Sequence, residues 1–308
     1  MATTVTPAID NTIGLAASYL PILDEIYKAD SKTAILDTAQ DRVRYDPSTG
    51  SFYLFETAPV GLGDYSRDGG FVRGDVTSGW RQYTPQWDRG RQFMVDIEDN
   101  LEALSMSFGT LAGVFMREKV IPETDALRFA QYATYAAEGN KVTETISSGA
   151  GAVAAIDLAT QTLDDAEVPY EGRILFVNPT MYRHLKSGIT RYTYNGERGI
   201  DYNVERYNDM RVITVPSGRF NTAVTLAQPT AHDGAGGYTA SGATINFMVI
   251  HPSAVMQAVK LALPRIFSPA VNQQADAWMY DFRQYHGAWV KHQKSNGIYV
   301  NAPAVVSG

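Results

Sequence analysis

No cysteine occurs among the 308 residues, so a disulfide framework, a thiolate metal site and a cysteine nucleophile are all excluded. A basic surplus is missing as well. The formal charge is −7, the wrong sign for a surface that grips nucleic acid by displacing counterions from its phosphates. No run approaches the roughly 18 apolar residues that a membrane span needs. The opening "MATTVTPAID" has no basic stretch ahead of an apolar one, so it does not read as a secretory signal. Together these absences lead us to expect a soluble intracellular chain. With 44% hydrophobic and 11% aromatic residues, it has material for a sizeable core.

Catalytic patterns are also missing. The glycine-rich stretch "GLGDYSRDGGFVRGDVTSGW", residues 61–80, begins a dinucleotide fingerprint with Gly61 and Gly63 but places serine at 66. No helical pattern follows to present its amides to a phosphate. The five histidines, at 184, 232, 251, 286 and 292, include no pair three or four residues apart, the spacing that puts two metal ligands on one helix face. There is no G-x-S-x-G elbow and no S-x-x-K. The neighbouring carboxylates Glu98/Asp99 and Asp164/Asp165 point in different directions on a helix. We expect no enzyme activity, no cofactor and no metal. His251, set before a proline, reads as a turn cap, and His286 and His292 as polar members of a strand and its exit.

What is present is organised by period. Residues 11–29 read as a short amphipathic helix with Leu15, Tyr19, Ile22 and Ile26 on one face. From 41 to 95 the helical period vanishes. "SFYLFETA" and "RQFMVD" look like strands, separated by glycine, proline and aspartate. Ile97, Leu101, Leu104, Phe108, Leu111 and Phe115 then form one helical stripe, with Asp96 as its cap. Pro122 is expected to stop or kink that helix and to open a second one to about 137, with Glu123 and Asp125 in its first turn. A helix over 152–167 is predicted with Val153, Ile156, Leu163 and Ala166 inward. "ILFV" (174–177) is predicted as a buried strand, followed by a helix from Pro179 to Lys186. "FMVI" (247–250) uses the same strand-to-turn device. Residues 228–243 read as a surface loop, 255–263 and 277–290 as strands, and the tail from 294 as extended.

Basic and aromatic residues are biased. Arginine outnumbers lysine 18 to 8, and it alone supplies positions 42, 44, 67, 73, 81, 89 and 91. Arginine with tyrosine and tryptophan is an interface composition, here placed in the segment least able to fold alone.

Taken in order, an N-terminal arm, a glycine- and arginine-rich loop, a spine helix, a mixed α/β region and returning strands resemble the major capsid protein of tailed bacteriophages, with the Hong Kong 97-type fold. The resemblance is carried by "GDYSRDGGFVRGDV" with "WDRGRQFMVDIED", by "REKVIPETDALRFAQYA", by "INFMVIHPSAVMQAVK" and by "ADAWMYDFRQYHGAWVKHQKSNGIYVNA", over most of residues 55–301. It implies an α+β fold divided into an N-terminal arm (1–40), an extended loop (41–95) and a peripheral domain with the spine helix (96–146). An axial domain (147–243) and returning strands with a C-terminal tail (244–308) would follow.

The resemblance further implies a shell subunit that self-assembles through hexamers and pentamers around a DNA genome without sequence-specific binding. It would be made in the host bacterial cytoplasm and reside in the virion, with a portal protein as partner. The loop residues Tyr65, Arg67, Asp68, Arg73, Asp75, Trp80, Arg81, Arg89 and Arg91 are the expected subunit interface. Only about forty residues precede the loop, which leads us to expect a separate scaffolding protein or none. The loop contains no lysine, so an isopeptide cross-link from it is excluded, leaving noncovalent contacts or a decoration protein. An encapsulin-type nanocompartment shell shares the same expectations of fold and assembly. A soluble α/β enzyme with an unrecognised site is the reading from another class.

Overall fold

A computed structural model describes residues 30–37, 43–96, 106–189, 204–229 and 234–304. The expected helix over 11–29, the stripe residues Ile97, Leu101 and Leu104, the side chain of Phe108, and His232 lie outside those described residues.

A short 3-10 turn, Ala34–Leu36, precedes four strands: β1 (Val43–Asp46), β2 (Ser51–Pro59), β3 (Val76–Tyr83) and β4 (Trp87–Asp96). The long helix follows as α1 (Met106–Phe115), a π turn (Met116–Val120) and α2 (Ile121–Tyr135). Pro122 therefore opens the second helix as expected, but does not stop the chain's helical course, which runs into it through the π turn. A proline has no N–H to return to the preceding turn, and the wider π turn just ahead absorbs the defect. Next come β5 (Lys141–Thr143), α3 (Gly149–Asp165), β6 (Ile174–Val177) and α4 (Pro179–Gly188). The chain continues through β7 (Arg206–Tyr207), β8 (Met210–Thr214), β9 (Val224–Ala227) and β10 (Gly237–Ala240). It closes with β11 (Phe247–Ile250), β12 (Val255–Phe267), β13 (Ala277–Val290) and β14 (Ile298–Ala302).

The strands make a three-stranded sheet β1-β2-β3, a six-stranded sheet β5-β14-β11-β6-β8-β7, a three-stranded sheet β12-β13-β4 and the pair β10-β9. Successive residues of the six-stranded sheet face opposite layers, as strand geometry requires. Ile174, Phe176, Met248, Ile250, Ile298 and Val300 pack against Phe129 and Tyr132 of α2. Leu175, Val177, Phe247, Val249 and Tyr299 pack against Ile156 and Leu163 of α3 and Leu185 of α4. This explains why "ILFV" and "FMVI" are apolar without alternation: both faces are covered. Helices α3 and α4 cross where Gly149 meets Gly188, and a Cβ on Gly149 would stand 2.5 Å from the backbone nitrogen of Gly188.

Three sequence expectations change. Residues 237–240, placed in a surface loop, form β10, which pairs with β9 over Gly237–Ala240. The extended tail is a wholly buried strand, β14, inserted between β11 and β5. The inward face of α3 is Ala152, Ala155, Ile156, Ala159, Thr160 and Leu163, whereas Val153 and Ala166 are only partly buried. Of the four strands after 244, β11 and β14 join the six-stranded sheet, and β12 and β13 join β4.

Candidate assembly interface

The β2–β3 hairpin stands on the body at one end and is bare at the other. At its base Phe52 and Tyr83, opposite one another in register, pack with Met256, Ala258 and Trp289. The Trp289 ring centroid is 5.9 Å from that of Phe52 and 6.0 Å from that of Tyr83. Gly287 makes room for this ring, since a Cβ there would lie 2.3 Å from it. The Tyr83 hydroxyl donates to Glu56 Oε1 at 2.9 Å, and burial, followed by that carboxylate, pushes the phenol up to about 12. Arg81 Nη1 lies 3.6 Å from Glu56 Oε2. A register irregularity in β12 between Val259 and Leu261 brings Lys260 to the β1–β2 turn. There its ammonium sits 4.9 Å from the Tyr285 ring centroid, against Gly50, whose φ of +64° suits glycine.

Beyond the base the hairpin has no core of its own. Tyr53↔Gln82, Phe55↔Trp80, Thr57↔Ser78 and Pro59↔Val76 are cross-strand pairs that alternate onto one face. The rings of Phe55 and Trp80 meet edge-on at 5.3 Å, yet the two residues remain 51% and 54% exposed. At the tip, residues 60–75, Ser66 and Gly70 form an isolated bridge. Gly70 adopts φ +75°, and the Ser66 hydroxyl oxygen accepts from the Gly69 N–H at 3.1 Å. Tyr65 and Phe71 pair edge-on at 4.9 Å, while Leu62, Phe71 and Val72 stand in solvent. Exposed apolar side chains grouped in this way are uncommon on the surface of a monomeric protein.

Of the nine residues expected at an interface, the hairpin carries seven. Tyr65, Arg67, Asp68, Arg73 and Asp75 lie in the tip and are exposed, as are Trp80 and Arg81 on β3. Among the described residues, none of Arg67, Asp68, Arg73 and Asp75 has an ion-pair partner. Arg89 and Arg91 are set apart on β4. Arg89 is committed within the subunit: its guanidinium meets Glu123 of α2 at 2.7 and 3.3 Å and donates to the carbonyls of Ala227 and Gly237. Arg91 lines a groove of about 550 Å³ between β4 and the long helix, with Phe93, Val114, Phe115 and Glu118. Arginine, aspartate, Tyr65 and Trp80 were singled out from the sequence, whereas Phe55, Leu62, Phe71 and Val72 were missed. Their signal was the presence of apolar residues in a segment otherwise built of glycine and polar groups.

The histidines take structural positions. His251 Nδ1 accepts from the Ser253 N–H at 3.2 Å and caps its turn. His286 is buried on β13 with its ring 5.2 Å from that of Trp87. Burial, reinforced by the nearby Arg128 charge, lowers its pKa to about 3, so the imidazole is neutral. Among the described residues no group of three or more His, Asp or Glu could hold a metal ion, and no helix is long and apolar enough to cross a membrane.

No family model and no curated relative matches the chain. Solved structures do. One from Gordonia phage Cozz overlays with a TM-score of 0.62 at 13% identity, covering 90% of this chain and 87% of that one. The capsid structure of the cyanophage P-SCSP1u overlays with a TM-score of 0.58 at 14% identity, covering 88% and 87%. The virus-like particle from Pyrococcus furiosus overlays with a TM-score of 0.51 at 13% identity, covering 95% and 100%. At such identities the likeness is one of fold, and the fold is that of phage capsid structures.

Proposed function

We propose that this chain, which has the tailed-phage capsid fold, is the major shell subunit of a tailed bacteriophage, assembling through hexamers and pentamers around the packaged DNA. The observation that carries the reading is the hairpin, whose base is built into the body while its outer face and tip leave Phe55, Trp80, Leu62, Phe71 and Val72 exposed. A surface so apolar on a slender projection gains most by being covered, and a second copy of the chain is the partner always at hand in a shell.

In this reading residues 41–95 are the extended loop laid over a neighbouring subunit. The long helix with β4, β12 and β13 forms the peripheral part, and the six-stranded sheet with α3 and α4 forms the axial part. Arg67, Asp68, Arg73 and Asp75 then take opposite charges from the neighbour, with Tyr65, Trp80 and Arg81 beside them. Arg89 and Arg91 act from β4, Arg89 by fixing the root of the hairpin. Because the loop has no lysine, its contacts are noncovalent, unless a decoration protein adds to them. A separate scaffolding protein and a portal complete the assembly, and the acidic balance keeps the shell wall from adhering to DNA. The encapsulin-type shell is the second reading. The archaeal virus-like particle overlays with a lower TM-score than the phage structures quoted above, which favours the phage reading.

Negative-stain electron microscopy of the purified chain, with sizing by light scattering, tests the proposal. Closed shells, tubes or capsomer rings are expected, alone or on addition of the phage's scaffolding protein. A small oligomer under both conditions contradicts it.

A further inference from the structure

Asp125, placed by the sequence in the first turn of its helix, is a wholly buried carboxylate. Four donors from a segment more than ninety residues away converge on its carboxylate. The Ser31 hydroxyl donates to Oδ1 at 2.7 Å, the Lys32 N–H to Oδ2 at 2.9 Å, and the Thr33 N–H and hydroxyl to Oδ1 at 3.3 and 2.7 Å. Arg219, from the 3-10 turn after β8, approaches from the body side at 3.5 Å and supplies the opposite charge. Other contacts hold the segment as well. Arg128 Nη1 donates to Thr33 Oγ1 at 2.9 Å and lies 3.8 Å from Asp37, and Gln257 donates to the Thr33 carbonyl at 3.3 Å. Arg117 meets Asp30 at 3.2 Å, at the exposed end. Leu36 is the segment's one hydrophobic side chain in the core cluster.

We propose that residues 30–37 form a strap fastened to the long helix by the Asp125 carboxylate, able to detach as a unit while the body stays folded. The segment contributes no strand to any sheet. A strand held by a ladder frays one bond at a time, whereas a segment with four of its donors on one carboxylate loses all four together when that carboxylate fails. Local opening of this kind costs only the contacts of the element that opens. This inference stands apart from the shell reading, because it concerns one chain and can be read on the unassembled protein.

Hydrogen exchange on the full chain tests it, comparing wild type with Asp125→Asn. Asparagine keeps the volume but removes the charge and turns one acceptor into a donor. Amides of residues 31–37 are expected to exchange about 100-fold faster, as loss of several bonds to a charged acceptor implies, while β11 and β14 hold their protection. The double variant Ser31→Ala, Thr33→Val leaves Asp125 in place and is expected to accelerate the same amides by about tenfold. Unchanged exchange at 31–37 in both variants would overturn the proposal, since Leu36 would then be the fastening. Equal acceleration in β11 and β14 would overturn it too, by making Asp125 a group on which the whole core depends.

Discussion

Strands β2 and β6 show how similar residues reach opposite ends. "FYLF" of β2 and "ILFV" of β6 are both short apolar runs, but all four residues of β6 are buried, whereas in β2 only Phe52 of the four is. The difference lies in what covers them. β6 sits between β11 and β8 with α2 on one side and α3 and α4 on the other. β2 sits in a three-stranded sheet that touches the body only at its base. An apolar strand is thus buried where both of its faces are covered, and beyond its base β2 has no such covers among the described residues.

Four substitutions sharpen this contrast, each read by urea denaturation of the unassembled chain. Phe176→Ala removes a ring with no exposure, packed at 5.2 Å on Phe129, and should cost about 3–5 kcal/mol. A smaller loss would mean that the sheet relaxes around the cavity. Arg89→Ala should cost about 2 kcal/mol, because Glu123 and two carbonyls lose a partly buried charged donor. Its assembly defect should be no greater than that loss explains, and a wholly assembly-specific effect would move Arg89 into the interface.

His286 tests the body through pH. Its pKa is depressed in the fold, so the native state refuses a proton that the unfolded chain accepts. Its contribution is complete above the ordinary histidine value and is lost as pH falls from there toward about 3, by about 1.4 kcal/mol per pH unit. His286→Gln should flatten that acid limb, and an unchanged limb would place the acid sensitivity elsewhere. Trp80→Ala should cost the isolated chain least, about 0.5–1 kcal/mol for its ring pair with Phe55, while assembly falls steeply. A loss as large as that at Phe176 would show Trp80 to be a core residue.

Legibility in the sequence followed the same divide. Strands covered on both faces announced themselves as unbroken apolar runs, so β6 and β11 were read to the residue; β13 was placed at its observed bounds, and β12 at its start, though it runs on to Phe267. β1, β3 and β10 were not. "VTSGWRQY" carries a glycine and four polar residues, and it is a strand because β2 offers it eight partners in register. That reason is long-range and leaves no local period. β14 read only as extended because its burial depends on β11 and β5, far away in the chain. Glu123 and Asp125 showed their charge but not their partners, Arg89 and Ser31–Thr33, since contacts 34 and more than 90 residues apart have no signature in spacing. The tip was legible as an insertion, whereas its apolar residues Leu62, Phe71 and Val72 were not, because they stand among glycines and charges and form no period.

The most direct test of the division between body and hairpin replaces residues 60–75 with an Asn-Gly turn joining Pro59 to Val76, which already face one another across the hairpin. Light scattering and thermal unfolding are then measured beside wild type. The account predicts an unchanged melting temperature together with loss of every assembled species. A variant that melts early would show that the tip belongs to the core, and one that assembles like wild type would show that the shell is built without it.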